Sequence, residues 1–295
     1  MEKIAFYLMN EKGYFVLIQF LKEYHPECIK YVVLAKDKNI EKDYFEEIKN
    51  LCKKYSIEHY EKSEIIEKFS GYKIAIGWRW IIEDNKNLIV LHDSILPHYR
   101  GFSPLVNMLI NGEKEIGVTA LLACKEYDKG DILGQEKIEI IYPIKIQKAI
   151  QIISKLYYKL VNTLSKKIIN GEEIIGFTQD EDNATYSLWR DEQDYYIDWN
   201  VDSKSIRRKV DATGYPYTGA KTYINNKLII IDEVEEYPDV RIENRDIGKV
   251  IFIKEGYPIV VCKQGLIKIK KARTLNGKSV LPLKNFRNRF GDKIK

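Results

Sequence analysis

A histidine at position 92 and an aspartate at position 128 are the residues of this 295-residue chain whose surroundings best suit chemistry. His92 closes the apolar run Val90-Leu91-His92 and opens the loop Asp93-Ser94-Ile95-Leu96-Pro97-His98-Tyr99-Arg100-Gly101, and Asp128 opens Asp128-Lys129-Gly130-Asp131. An imidazole exchanges protons near neutral pH, and a carboxylate beside it orients the ring and stabilises its charged form. Moving an acyl group onto an amine needs such a pair, because attack leaves an ammonium that must lose a proton. His92 is therefore expected to be the general base and Asp128 its partner, whereas His25, His59 and His98 lack such support and read as surface residues. Ser94, Arg100, Gly101 and Phe102 are turn residues expected to shape a substrate loop. Ser94 would bond nearby backbone, and the planar Arg100 guanidinium would brace the loop rather than grip a ligand anion. Asp131 is expected to shape its own turn.

Around these residues the chain resembles the formyltransferases that use 10-formyltetrahydrofolate, a group that includes methionyl-tRNA formyltransferase and the sugar N-formyltransferases. Their Asn-x-His-x-Ser-Leu-Leu-Pro-x-x-Arg-Gly corresponds to the stretch ending in Gly101, their Gly-Val-Thr to Gly117-Val118-Thr119 and their Asp-x-Gly to Asp128-Lys129-Gly130. The likeness continues through Ala184-Thr185-Tyr186-Ser187, Ile197-Asp198-Trp199 and Tyr215-Pro216-Tyr217-Thr218-Gly219-Ala220 to Gly277-Lys278, nearly the whole chain. It implies 10-formyltetrahydrofolate as cosubstrate without a metal. It also implies folate contacts through backbone groups at Trp80, Ile81 and Ile82 and at Cys124, Lys125, Glu126 and Tyr127, a slot of apolar walls that suits a flat pterin. One departure stands out: Val90 falls where the family has its catalytic Asn. Losing one donor to a developing oxyanion costs ~10² to 10³ in rate. Arg79, the indoles of Trp78 and Trp80, and Asn107 are candidates to replace it, and the sequence does not choose among them; the two tryptophans also read as ordinary core, the preferred reading for Trp78 on the buried alternation.

The tRNA-specific members carry a long basic insertion soon after the second strand. Residues 35–43 here are short and charge-balanced. The expected acceptor is thus the amine of a nucleotide-linked amino sugar, a surface-glycan or flagellin sugar such as a pseudaminic-acid-type precursor. Nucleic acid is disfavoured as a partner, and a homodimer is left open. The alternatives are methionyl-tRNA formylation, or a folate- or nucleotide-binding protein with impaired catalysis, which Val90 motivates.

The elements that must position these residues follow from periodicity and composition. Apolar residues make up 45% and charged residues 31%, ordinary values for a globular chain with a sizeable core. No apolar run approaches the ~20 residues of a membrane span, and the start lacks a leader pattern, so a cytoplasmic protein is expected. Cys28, Cys52, Cys124 and Cys262 lack zinc or disulfide spacing and are expected to be reduced. Residues 200–295 hold 21 Lys or Arg against 11 Asp or Glu, so that part is basic and the rest acidic. A basic patch attracts phosphates of a nucleotide-sugar or of RNA.

Apolar runs at residues 3–9, 31–35, 73–78, 88–91 and 118–123 alternate with helical patterns at 14–24 and 44–55. The expectation is an α/β, Rossmann-like, mainly parallel sheet flanked by helices. The dinucleotide fingerprint Gly-x-Gly-x-x-Gly is missing, which argues against NAD. Apolar residues from Ile146 to Ile168 keep helical spacing until Asn170-Gly171. A catalytic domain over 1–180 is expected to precede a connector and barrel-like domain over 181–295. In the latter, a helix from Ser203 capped by Asp202 and short β runs divided by Asn-Asn, Glu-Gly and Gln-Gly suggest a small antiparallel barrel of the oligonucleotide-binding type. The aromatic residues Tyr186, Trp189, Tyr195, Tyr196 and Trp199 are read as core packing.

Overall fold

The computed structural model describes residues 2–291. They divide into two compact units, one holding residues up to Leu105, Lys114–Ile140 and Lys148–Trp189, the other Val106–Glu113, Ile141–Gln147 and the chain from Arg190 onward.

In the first unit, β1 (Ile4–Leu8), β2 (Ile29–Leu34), β3 (His59–Glu61), β4 (Lys73–Ile76) and β5 (Leu88–His92) run parallel. β1, rich in apolar and aromatic residues, is buried along its whole length and reads as a continuous apolar run for that reason. The strands β7 (Glu115–Leu122) and β8 (Ile132–Glu139) join antiparallel at one side, giving the order β3-β2-β1-β4-β5-β7-β8. Between β5 and β7 along the chain lie the two-residue β6 (Arg100–Gly101) and the helix α3 (Pro104–Asn111), most of which belongs to the second unit. Helix α1 (Asn10–Glu23) buries Val16, Leu17 and Phe20, and the Phe20 ring meets Phe6 of β1 edge-on at 5.1 Å. Helix α2 (Phe45–Lys54) packs beside α1 and β2. Helix α4 (Ile146–Ile169) carries the long apolar spacing seen in the sequence, with Ile153, Val161 and Ile168 fully buried. Ala5, Tyr7, Tyr31, Val33, Ala75 and Leu88 form a further cluster whose added members, among them Trp78, Ile82, Val90 and Ala123, come from strands and loops and not from helices.

The second unit is built on α5 (Ser203–Thr213) and six antiparallel strands. Asp202 caps α5, its carboxylate accepting from the Ser205 amide at 2.9 Å, as the sequence suggests. The strands β10 (Ala220–Ile224), β11 (Lys227–Tyr237), β12 (Val250–Lys254), β13 (Tyr257–Val261), β14 (Leu266–Thr274) and β15 (Phe290–Gly291) take the order β12-β13-β14-β11-β10-β15. Asn225, Asn226, Glu255 and Gly256 have positive φ, the conformation two-residue hairpin turns demand. A bridge between Lys249 and Arg289 links the two outer strands, so the sheet curls into an open barrel around Ile231, Val260, Ile267 and Ile269. Trp199 belongs to that core and donates to Thr222 at 2.9 Å, as core packing requires. Tyr186 and Trp189 differ from the expectation: each is 63% exposed.

Candidate active site

His92 is the last residue of β5 and is buried. Its Nε2 lies 2.8 Å from the Tyr99 carbonyl oxygen. A carbonyl only accepts, so Nε2 carries a proton and donates, which leaves Nδ1 as the nitrogen that gains and loses one. Nδ1 faces Asp128 Oδ1 at 3.5 Å. The other carboxylate oxygen, Oδ2, accepts from the Gly101 amide at 2.8 Å. The sequence pair thus meets in space, with a division of labour the sequence does not disclose: the Tyr99 carbonyl sets the tautomer, and Asp128 faces the titrating nitrogen.

The loop motifs explain how Asp128 is held. Asp128 itself has φ +56°, a conformation Asp tolerates better than most residues. Gly130 has no room for a side chain, since a Cβ there would lie 1.7 Å from the Leu122 carbonyl oxygen. The buried Gln179 donates to the carbonyls of Asp128 and Gly130 at 2.7 and 2.8 Å. Its Oε1 accepts from Arg100 Nη2 at 2.8 Å and Nε at 3.1 Å. Arg100, wholly buried, also makes a two-pronged pair with Glu181 at 2.7 and 2.9 Å, and this pairing holds the Glu181 carboxyl below its ordinary value. All five guanidinium donors meet side chains of Gln179, Glu181 and Tyr186, the last at 3.5 Å, so Arg100 braces the loop through Gln179. Gln179 was not legible as a site residue, because nothing in Phe177-Thr178-Gln179-Asp180 marks it.

Ser94 is likewise buried and turned inward, its hydroxyl donating to the His98 carbonyl at 2.6 Å. Thr119 donates to the Ser94 carbonyl at 2.7 Å and accepts from the Leu96 amide at 3.0 Å, while Gln135 reaches both the Leu96 carbonyl and the Thr119 hydroxyl. The Gly-Val-Thr motif is therefore the clamp on the histidine loop. Phe102 lies on the open side, half exposed, with its ring 6.4 Å from that of Tyr127. β6 pairs with β9 (Tyr186–Ser187), and the Phe102 carbonyl accepts from the Ser187 hydroxyl at 2.7 Å.

Behind His92 sits a charged group that sequence reasoning missed. Asp93 is held by Lys12 of α1 and by the Tyr157 hydroxyl of α4, which also donates to the Leu91 carbonyl at 3.2 Å. Burial pushes the Asp93 carboxyl up, yet the Lys12 ammonium and the Lys12 and Tyr157 hydrogen bonds together hold it below its ordinary value. The residue after the histidine was the available signal, since it stands within the loop motif.

The segments expected to hold a pterin border the cluster that contains Val90. Ile82 and Ala123 both pack against it. Trp80 is 38% exposed beneath the Lys62 ammonium, and Ile81 is exposed. Cys124, Lys125, Glu126 and Tyr127 form an open loop leading to Asp128. Of the side chains named as replacements at Val90, Arg79 is occupied by Asp37 at 2.7 and 3.0 Å, and Asn107, in the second unit, accepts from Arg190. Among the described residues no three His, Cys, Asp or Glu side chains gather as a metal site, and no helix is long and apolar enough to cross a membrane.

A mostly parallel sheet is followed along the chain by an antiparallel barrel, and a His and Asp pair at the end of a strand can carry the proton that an acyl transfer to an amine releases. Residues 53–173 match the Formyl transferase family and residues 190–291 match Formyl transferase, C-terminal domain. The chain belongs to the formyl transferase family. It is 32% identical to the methionyl-tRNA formyltransferase of Caldicellulosiruptor saccharolyticus over 207 residues, which are 70% of this chain and 64% of that protein, just under two thirds of its length. Among solved structures, WlaRD, a sugar 3N-formyl transferase studied with dTDP and 5-N-formyl-THF, matches with TM-score 0.66 and 20% identity over 95% of this chain and 98% of its own. The N-formyltransferase of Helicobacter canadensis, in complex with folinic acid and dTDP-3-aminofucose, matches with TM-score 0.65 and 18% identity over 91% and 99%. At these identities the structures speak for the fold.

Proposed function

We propose that this protein is an N-formyltransferase that moves a formyl group from 10-formyltetrahydrofolate to the amine of a nucleotide-linked amino sugar in the cytoplasm. The observation that carries the proposal is the His92 ring, pinned at Nε2 by the Tyr99 carbonyl and turned at Nδ1 toward Asp128. When the amine attacks the formyl carbon, the new C–N bond leaves a proton to remove. His92 Nδ1 takes it, and the Asp128 carboxylate stabilises the resulting imidazolium. The intermediate then collapses by breaking the bond to N10 of the folate, which leaves with a proton relayed from His92. The apolar floor of Ile82, Val90 and Ala123 offers a bed for the pterin.

The acceptor follows from what surrounds the second strand. Residues 35–43 form a compact turn in which Asp37 accepts from the Asn39 amide and from Asn10 at 3.1 Å each and pairs with Arg79, while its own amide donates to Asp43. Such a turn is not an arm for tRNA. A nucleotide-sugar needs only its two phosphates matched, and the solved relatives named above were studied with dTDP and with dTDP-3-aminofucose. Methionyl-tRNA is the second reading, favoured by the name of the Caldicellulosiruptor relative and by the basic stretch after residue 200. Assays with 10-formyltetrahydrofolate and dTDP- or UDP-linked amino sugars, run beside methionyl-tRNA at physiological salt, separate the two. Faster formylation of a sugar supports the proposal, and faster formylation of the tRNA overturns it.

A further inference from the structure

The acyl-transfer step places negative charge on the formyl oxygen, and Val90 offers that oxygen no donor. Val90 pairs with Ala75 of β4 in the sheet register, and Ile76 pairs with Leu91. Trp78 follows β4 by two residues, past Gly77 with its positive φ. Trp78 and Val90 pack against the same cluster, and His92, two residues on from Val90, points to the same side of β5. The Trp78 ring meets Tyr7 and Trp80 edge-on at 5.2 and 5.4 Å. Its Nε1 is shielded from solvent and has no hydrogen-bond acceptor in the described structure, whereas the Trp199 indole has its Thr222. A buried indole N–H without an acceptor is costly and uncommon. Of the other donors near Val90, the Arg79 guanidinium is engaged by Asp37.

We propose that the Trp78 Nε1–H donates to the formyl oxygen in place of the missing carboxamide, which makes Trp78 a catalytic residue. As the amine nitrogen bonds to the formyl carbon, the carbonyl pair moves onto oxygen and is held by this N–H. As the bond to folate N10 breaks, the pair returns. The inference rests on the formyl-transfer proposal above.

The test is kinetic, on the full chain with 10-formyltetrahydrofolate and an acceptor panel of dTDP-3-aminofucose, a UDP-linked amino sugar and methionyl-tRNA. Trp78→Phe keeps the six-membered ring and removes the donor, so kcat should fall ~10² to 10³ while KM for the folate changes little. Trp78→Phe with Val90→Asn should regain at least about tenfold over the single variant, a rescue that a mere packing role for the indole would not give. Wild-type kcat in Trp78→Phe, or a double variant no faster than the single one, overturns the inference while leaving formyl transfer standing. A wild-type enzyme that formylates no acceptor of the panel overturns both.

Discussion

His92 does not share the hydrogen-bonding plan of a serine-protease triad, in which the carboxylate fixes the tautomer. Here a backbone carbonyl fixes it and the carboxylate waits beside the nitrogen that titrates. Nitrogen-15 spectra of the ring should therefore show the Nε2–H tautomer on the alkaline side of its titration, and an Nδ1–H tautomer there would contradict the assignment. Asp128→Asn keeps the Gly101 contact within reach and removes the charge, so kcat should drop by about 10² or more with the thermal midpoint little changed. Retention of wild-type kcat at saturating substrate would remove Asp128 from the mechanism. His92, Asp128 and the bracing role of Arg100 were legible in the sequence because their motif is dense. Gln179, Lys12 and Tyr157 were not, since each reaches the site through tertiary packing and stands in ordinary sequence surroundings.

Elements whose burial is one-sided or continuous announce themselves, and short or edge elements do not. The long helix α4, the α5 cap and the strands from β10 to β14 lie close to where periodicity and turn residues place them. The edge strand β8 is exposed over its last three residues and so carries little apolar signal. β6 and β9 exist only by pairing with each other, and eight mostly apolar residues in α3 cannot be told from a strand by period alone. The glycine between β7 and β8 is the stiffest local requirement. Gly130→Ala sets a Cβ against the Leu122 carbonyl, so the urea midpoint should fall by an amount equivalent to roughly 3 kcal/mol. An unchanged midpoint would mean the Asp128 loop is looser than described. In the second unit, burial lifts the Asp211 carboxyl of α5 to about 6, with Arg207 and Lys145 opposing and Glu233 adding to the rise. A folded pKa above the unfolded one means that protonation favours the fold, so stability declines as pH rises from about 4 to about 6. Asp211→Asn should then raise the denaturant midpoint at pH 7.5 by up to about 3 kcal/mol, with the gain vanishing near pH 4. A loss at pH 7.5 would show that the Arg207 pairing outweighs burial.

At the scale of the whole molecule, overall charge and the local turn at residues 35–43 point in different directions. The stretch after residue 200 carries the excess of positive charge, which attracts any polyanion, RNA included. The compact turn at residues 35–43, in contrast, is a local feature that bears on one acceptor and not another. Fold class was legible from the alternation of strand and helix followed by hairpins, but the pattern of apolar residues reports burial and does not encode an acceptor. The most direct measurement is the time course of N-formyl product from 10-formyltetrahydrofolate and dTDP-3-aminofucose, wild type beside His92→Ala, with methionyl-tRNA as the parallel acceptor. Rapid formylation of the sugar, slow formylation of the tRNA and a loss of at least about 10² in kcat on removing the imidazole is the expected result; undiminished turnover by His92→Ala, or preference for the tRNA, would contradict it.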